Sequence, residues 1–139
     1  RLEAGTPNYS GIITWGAALD YLMEIGIERI AAYEETLLNR AEQVLTAIPQ
    51  GQILGHPAKR AGCVSIQIDG VHPYDFASMI DKYGVAVRTG SMCAQPIVNK
   101  MGLDTVIRIS PAFYNTMDEI EKVGEYTEKV IAFFEKIRR

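Results

Sequence analysis

Apolar residues at Ile12, Ile13, Trp15, Ala18, Leu19, Leu22 and Met23 recur at helical spacing after Pro7. They predict a helix that stops at Gly26, with Gly16 a weak point in its middle. A second amphipathic run, through Ile27, Ile30, Ala31, Leu37, Leu38, Ala41, Val44, Leu45 and Ile48, predicts a longer helix ended by Pro49. From Gly51 the period shortens. Gln52 to Leu54 reads as a short strand, and Cys63-Val64-Ser65-Ile66-Gln67-Ile68 alternates like a half-buried one, with Cys63 directed to core packing. His72-Pro73-Tyr74-Asp75 opens a short helix carrying Phe76, Met79 and Ile80, which Gly84 closes. Val85 to Arg88 and Val106 to Ile109 read as further strands around a Gly-, Ser- and Pro-containing loop from Thr89 to about Asp104. Thr116 and Glu119 stand at capping-box spacing before the stripe Ile120, Val123, Thr127, Val130, Ile131, Phe134 and Ile137, and Lys136, Arg138 and Arg139 lie at its carboxyl end. The order αα, ββ, α, ββ, α predicts an α+β fold, with helices packed on one side of a small sheet.

Composition narrows the function classes. With 139 residues, 47% of them hydrophobic, the chain suits a single domain over 1–139. A formal net charge of -3 with scattered Lys and Arg leaves no basic stripe for phosphates, so no nucleic-acid partner is expected. Cys63 and Cys93 form no CxxC pattern, and His56 and His72 give no paired ligand spacing, so no metal site is expected. No apolar run reaches the roughly 20 residues that a membrane-spanning helix needs, and no leader precedes the first helix. The expected setting is reducing and cytoplasmic, without membrane contact. An opening on Arg1, directly before Gly5-Thr6-Pro7-Asn8, suggests a trimmed piece of something longer.

Three polar clusters stand out. Cys93 follows a strand and a glycine in a polar loop, five residues after Arg88. Exposed thiols beside positive charge favour the nucleophilic thiolate, although a lone loop cysteine can equally have no role. Arg108 interrupts an apolar strand, where a guanidinium needs a partner to offset its desolvation. A bidentate carboxylate fits, either one of the chain's own acids or a substrate's. Thr6 offers a hydroxyl ahead of a helix start, a setting for an anion such as phosphate or for an ordinary cap.

Together these segments resemble the C-terminal third of class V, fold-type I pyridoxal-phosphate (PLP) enzymes, and within them the group II, SUF-type cysteine desulfurases. The resemblance is carried by Arg1-Leu2-Glu3-Ala4-Gly5-Thr6-Pro7-Asn8, Tyr74-Asp75, Tyr83-Gly84-Val85-Ala86-Val87-Arg88-Thr89-Gly90, Cys93-Ala94-x-Pro96, Arg108-x-Ser110 and Tyr114-Asn115-Thr116. It implies a small, mostly antiparallel sheet of the C-terminal-domain type and a homodimeric enzyme that turns L-cysteine into L-alanine. Cys93 would receive the sulfur as a persulfide and pass it to an acceptor protein for iron-sulfur cluster assembly. Arg108 would hold the substrate carboxylate, Arg88 would shape the cysteine loop and help orient substrate, and Thr6 would reach the cofactor phosphate of the neighbouring subunit. The lysine that anchors PLP would lie in a preceding segment, so the piece alone is expected to be inactive.

Two features qualify the match. Some relatives carry histidines before the nucleophile where this chain has Ser91-Met92, and the short Gly90 to Pro96 loop implies a dedicated acceptor rather than direct delivery to scaffolds. Another class V enzyme, an aminotransferase or a selenocysteine lyase, would share Arg108. A non-catalytic dimerisation module is the remaining reading.

Overall fold

The computed structural model describes residues 4–55, 57–58 and 60–138. Arg1, Leu2 and Glu3 of the opening motif, His56, and Arg139 at the carboxyl end lie outside the described residues. The chain divides into two compact units, Arg1–Tyr33 and Glu34–Arg139.

In the first unit, helix α1 (Tyr9–Ile25) starts where Asn8 caps it, its side-chain oxygen accepting from the Gly11 N–H at 3.0 Å. Gly26 ends it at φ 98°, a conformation that residues with a Cβ rarely adopt, and donates its N–H to Leu22 O. The helix is apolar on most sides and none of its residues is buried. Helix α2 (Ile27–Thr46) begins in this unit and runs into the second.

The second unit is built on a four-stranded sheet: β1 (Gly51–Leu54), β2 (Val64–Ile68), β3 (Arg88–Gly90) and β4 (Val106–Ile109). The spatial order is β1-β2-β4-β3 and every pairing is antiparallel. Alternation along β2 and β4 sends Val64, Ile66, Ile68, Ile107 and Ile109 to one face. Leu37, Leu38, Ala41 and Leu45 of α2 join them in one buried cluster. So do Phe76 and Ile80 of α3 (Pro73–Ile80) and Ile120, Val123, Val130 and Ile131 of α5 (Met117–Arg138). The expected α+β architecture is therefore the one observed.

Local rules account for the ends of these helices. His72 caps α3 through Nδ1, with Pro73 in its first turn. At α5 the capping box closes both ways: Thr116 N–H donates to Glu119 Oε2 at 2.8 Å, and Glu119 N–H to Thr116 Oγ1 at 3.3 Å. The Thr116 backbone N–H, then the Asn115 amide, hold the Glu119 carboxyl below its ordinary range. Arg40 of α2 forks onto Glu121 of α5 through Nε (2.5 Å) and Nη2 (2.9 Å), tying the two helices at the surface. Buried Thr127 satisfies its hydroxyl on Val123 O.

Three expectations are corrected. The strand expected at Val85 to Arg88 is displaced to Arg88–Gly90. Running the Arg88↔Arg108 register backwards sets Val85 opposite Pro111, which has no N–H for a ladder, and Val85 and Val87 instead pack against the core. The expected Thr89 to Asp104 loop contains a helix, α4 (Gln95–Lys100), with Pro96 in its first turn and Val98 buried. Cys63 lies one residue before β2, half-buried and outside the core cluster.

Candidate active site

The strand register brings two of the candidate residues side by side. Arg88 of β3 stands directly opposite Arg108 of β4, and Ser65 of β2 faces Arg108 from the other side. Residues opposite one another in an antiparallel ladder point to the same face, so this row lies away from the apolar core. Like charges directly opposite are destabilising unless an anion joins them. Among the described residues no carboxylate is ion-paired with either arginine. Arg108 is half-buried, and its Nε is buried without a hydrogen-bond partner. Arg88 is exposed. The pair sets two guanidiniums on one face of the sheet, with no ion-paired carboxylate among the described residues.

Cys93 is exposed, five residues after Arg88, on the loop between β3 and α4. Both Met92 (φ 53°) and Cys93 (φ 62°) have left-handed backbones, a feature invisible to composition and periodicity. Gly90 takes φ 119°, and the Tyr74 hydroxyl lies 3.7 Å from the point where a Cβ on that glycine would stand. Neither Ser65 nor the Tyr74 hydroxyl was among the predicted site residues, because cross-strand pairing and the α3 to β3 approach join positions distant in sequence. Pro96 was the available signal for α4, since proline favours the first helical positions.

Thr6 belongs to the first unit. It is exposed and borders an open cleft of about 610 Å³ with Gly5, Asn8, Gly11, Ile12 and Trp15. The cap of α1 is made by Asn8, which leaves the Thr6 hydroxyl out of that task, and the first turn of α1 carries no acidic residue to repel an anion. Among the described residues no group of three or more His, Cys, Asp or Glu side chains is placed to hold a metal ion. Among the same residues no helix is long and apolar enough to cross a membrane.

The Aminotransferase class-V family profile matches residues 1–123. The chain is 46% identical over 123 residues to a cysteine desulfurase of Cronobacter sakazakii and 44% identical to one of Klebsiella pneumoniae. Each match covers 88% of this chain but 30% of the relative, so the chain spans less than a third of the curated relatives it matches. Among solved structures, the cysteine desulfurase of Thermococcus onnurineus in its apo form superposes with a TM-score of 0.88 at 34% identity, over 95% of this chain and 33% of that one. The Escherichia coli cysteine desulfurase CsdA, in an S-sulfonic acid form, gives 0.87 at 29% identity, again over 95% and 33%.

Proposed function

From the premise that the chain belongs to the Aminotransferase class-V family, we propose that residues 1–139 are the C-terminal small domain of a PLP-dependent cysteine desulfurase of the group II type. The observation that carries this reading is the cross-strand pairing of Arg88 and Arg108, with no ion-paired carboxylate among the described residues, on the sheet whose strand β3 leads into the loop bearing the exposed Cys93 thiol.

The residues present fit the cofactor and its substrate. The Thr6 hydroxyl, ahead of a helix start without acidic residues, suits the cofactor phosphate of the neighbouring subunit in a homodimer. The anchoring lysine is assigned to the part of the full-length protein that precedes this domain. When bound, PLP supplies an electron sink for the substrate carbon.

The chain's own residues do the rest. Arg108 grips the carboxylate of L-cysteine through its guanidinium. Arg88 holds the same end from the adjacent strand. The Cys93 thiolate attacks the substrate sulfur: an S–S bond forms as the C–S bond breaks, and the electron pair stays with the substrate carbon, which takes a proton to become L-alanine. The sulfur remains on Cys93 as a persulfide, which an acceptor protein takes up for iron-sulfur cluster assembly. The two free cysteines suit a reducing, cytoplasmic setting.

The test uses the full-length protein with L-cysteine, following PLP absorbance and alanine. The wild type should bind PLP and form alanine, and Cys93→Ala should abolish the alanine while PLP absorbance is retained. Unchanged turnover in Cys93→Ala would assign the protein to the aminotransferases instead. Preference for selenocysteine over cysteine in the wild type would assign it to the selenocysteine lyases.

A further inference from the structure

Met92 and Cys93 are consecutive non-glycine residues with positive φ, at 53° and 62°. The Ala94 N–H donates to Ser91 O at 2.8 Å and closes a four-residue turn around them. Two left-handed central residues define a type I′ turn, for which Asn-Gly is the favoured pair. Met and Cys carry a Cβ that crowds the backbone in this region, so neither residue favours the turn locally. Its surroundings hold it instead. On one side Gly90 is paired to Val106 in the sheet. On the other, Ile97 and Val98 N–H groups bond to Ala94 O at 3.0 and 3.1 Å, and Val98 is buried. Relaxing both residues to negative φ would turn the Cα–Cβ bond of Cys93 towards another side of the chain.

We infer that the Ser91–Ala94 turn is a strained device that aims the Cys93 thiol. Met92 is its positioning residue, acting through its left-handed backbone rather than through its side chain. The use assigned to the thiol rests on the desulfurase reading; the turn itself does not. Strained backbone of this kind persists only where the flanking structure over-determines it, and it concentrates where a reactive group must be held in one direction. A nucleophile that attacks the sulfur of a substrate whose carboxylate is held by Arg88 and Arg108 needs such aim, since displacement of a reacting atom by about 1 Å can lower a rate by roughly a hundredfold.

The experiment compares Met92→Asn, Met92→Gly and Met92→Val in the full-length protein, by thermal unfolding and by alanine formation from L-cysteine. Asn and Gly accept the left-handed region and should raise Tm, whereas the β-branched Val should lower it. The Asn variant should keep kcat and KM within about twofold of the parent, while Val should lose at least about tenfold in kcat at nearly unchanged KM. In a turn with ordinary negative φ, Gly would loosen the unfolded chain and lower Tm, and that result overturns the inference. Equal loss of kcat in Asn and Val also overturns it, because the methionine side chain would then be the operative group. Absence of alanine from the parent overturns the desulfurase reading, and with it the stated use of the thiol, while the Tm order still judges the turn.

Discussion

Arg108 makes a polar demand inside a sheet that no described residue meets at its Nε. Its Nε is buried without a partner, and the residue opposite is another arginine. An unsatisfied buried donor costs about 1–3 kcal/mol, so a side chain kept there for structure alone would be poorly chosen. Substitution therefore separates the two readings that sequence left open. Arg108→Met in the full-length protein should unfold at higher denaturant, by roughly 1 kcal/mol, and should lose turnover of L-cysteine. A destabilised Arg108→Met protein would instead mean that the guanidinium supports the fold. At the start of α1 the cap is made by Asn8 rather than by the Thr6 hydroxyl.

Between elements, close approach sets the limits. Gly124 lies buried in α5, and a Cβ built on it would stand 2.1 Å from Val44 Cγ1 of α2. Alanine normally favours a helix interior over glycine by about 1 kcal/mol. Here the stiff valine occupies the space a methyl would need. Gly124→Ala is expected to lower stability by about 1–3 kcal/mol through overpacking, and adding Val44→Ala should restore much of the loss; urea unfolding of the three variants measures both. Stability that rises in Gly124→Ala would show that Val44 turns aside freely. The same logic of neighbours explains β3. Periodicity marks Val85 to Arg88 as a strand, yet a strand exists only where a partner can pair with it, and Pro111 withholds that pairing at one end.

Across the molecule, α1 is the element whose surface is least accounted for. Its Ile12, Ile13, Trp15 and Met23 are 60%, 71%, 65% and 70% exposed. A helix apolar on most sides is normally buried, and contiguous exposed apolar surface marks a site of association. The 139-residue chain expressed by itself should bind the dye ANS, and replacing Ile12, Ile13 and Trp15 by Glu should reduce that fluorescence sharply. Undiminished dye binding would locate the accessible apolar surface elsewhere.

Sequence alone determined the helix stripes, the helix start at His72-Pro73, the capping box of Thr116 and Glu119, the half-buried alternation of β2 and the identities of Thr6, Arg88, Cys93 and Arg108 as candidates. All of these are local properties, set by side chains within a turn or two of one another. Only tertiary structure decided which strands pair, that Arg88 stands opposite Arg108, that no carboxylate among the described residues answers either of them, and that Met92 and Cys93 are held left-handed. The physical reason is range: periodicity and capping are fixed by neighbours along the chain. Strand register, an unmet hydrogen bond and a strained turn are fixed by neighbours in space, and these outweigh local preference wherever the surrounding packing holds them.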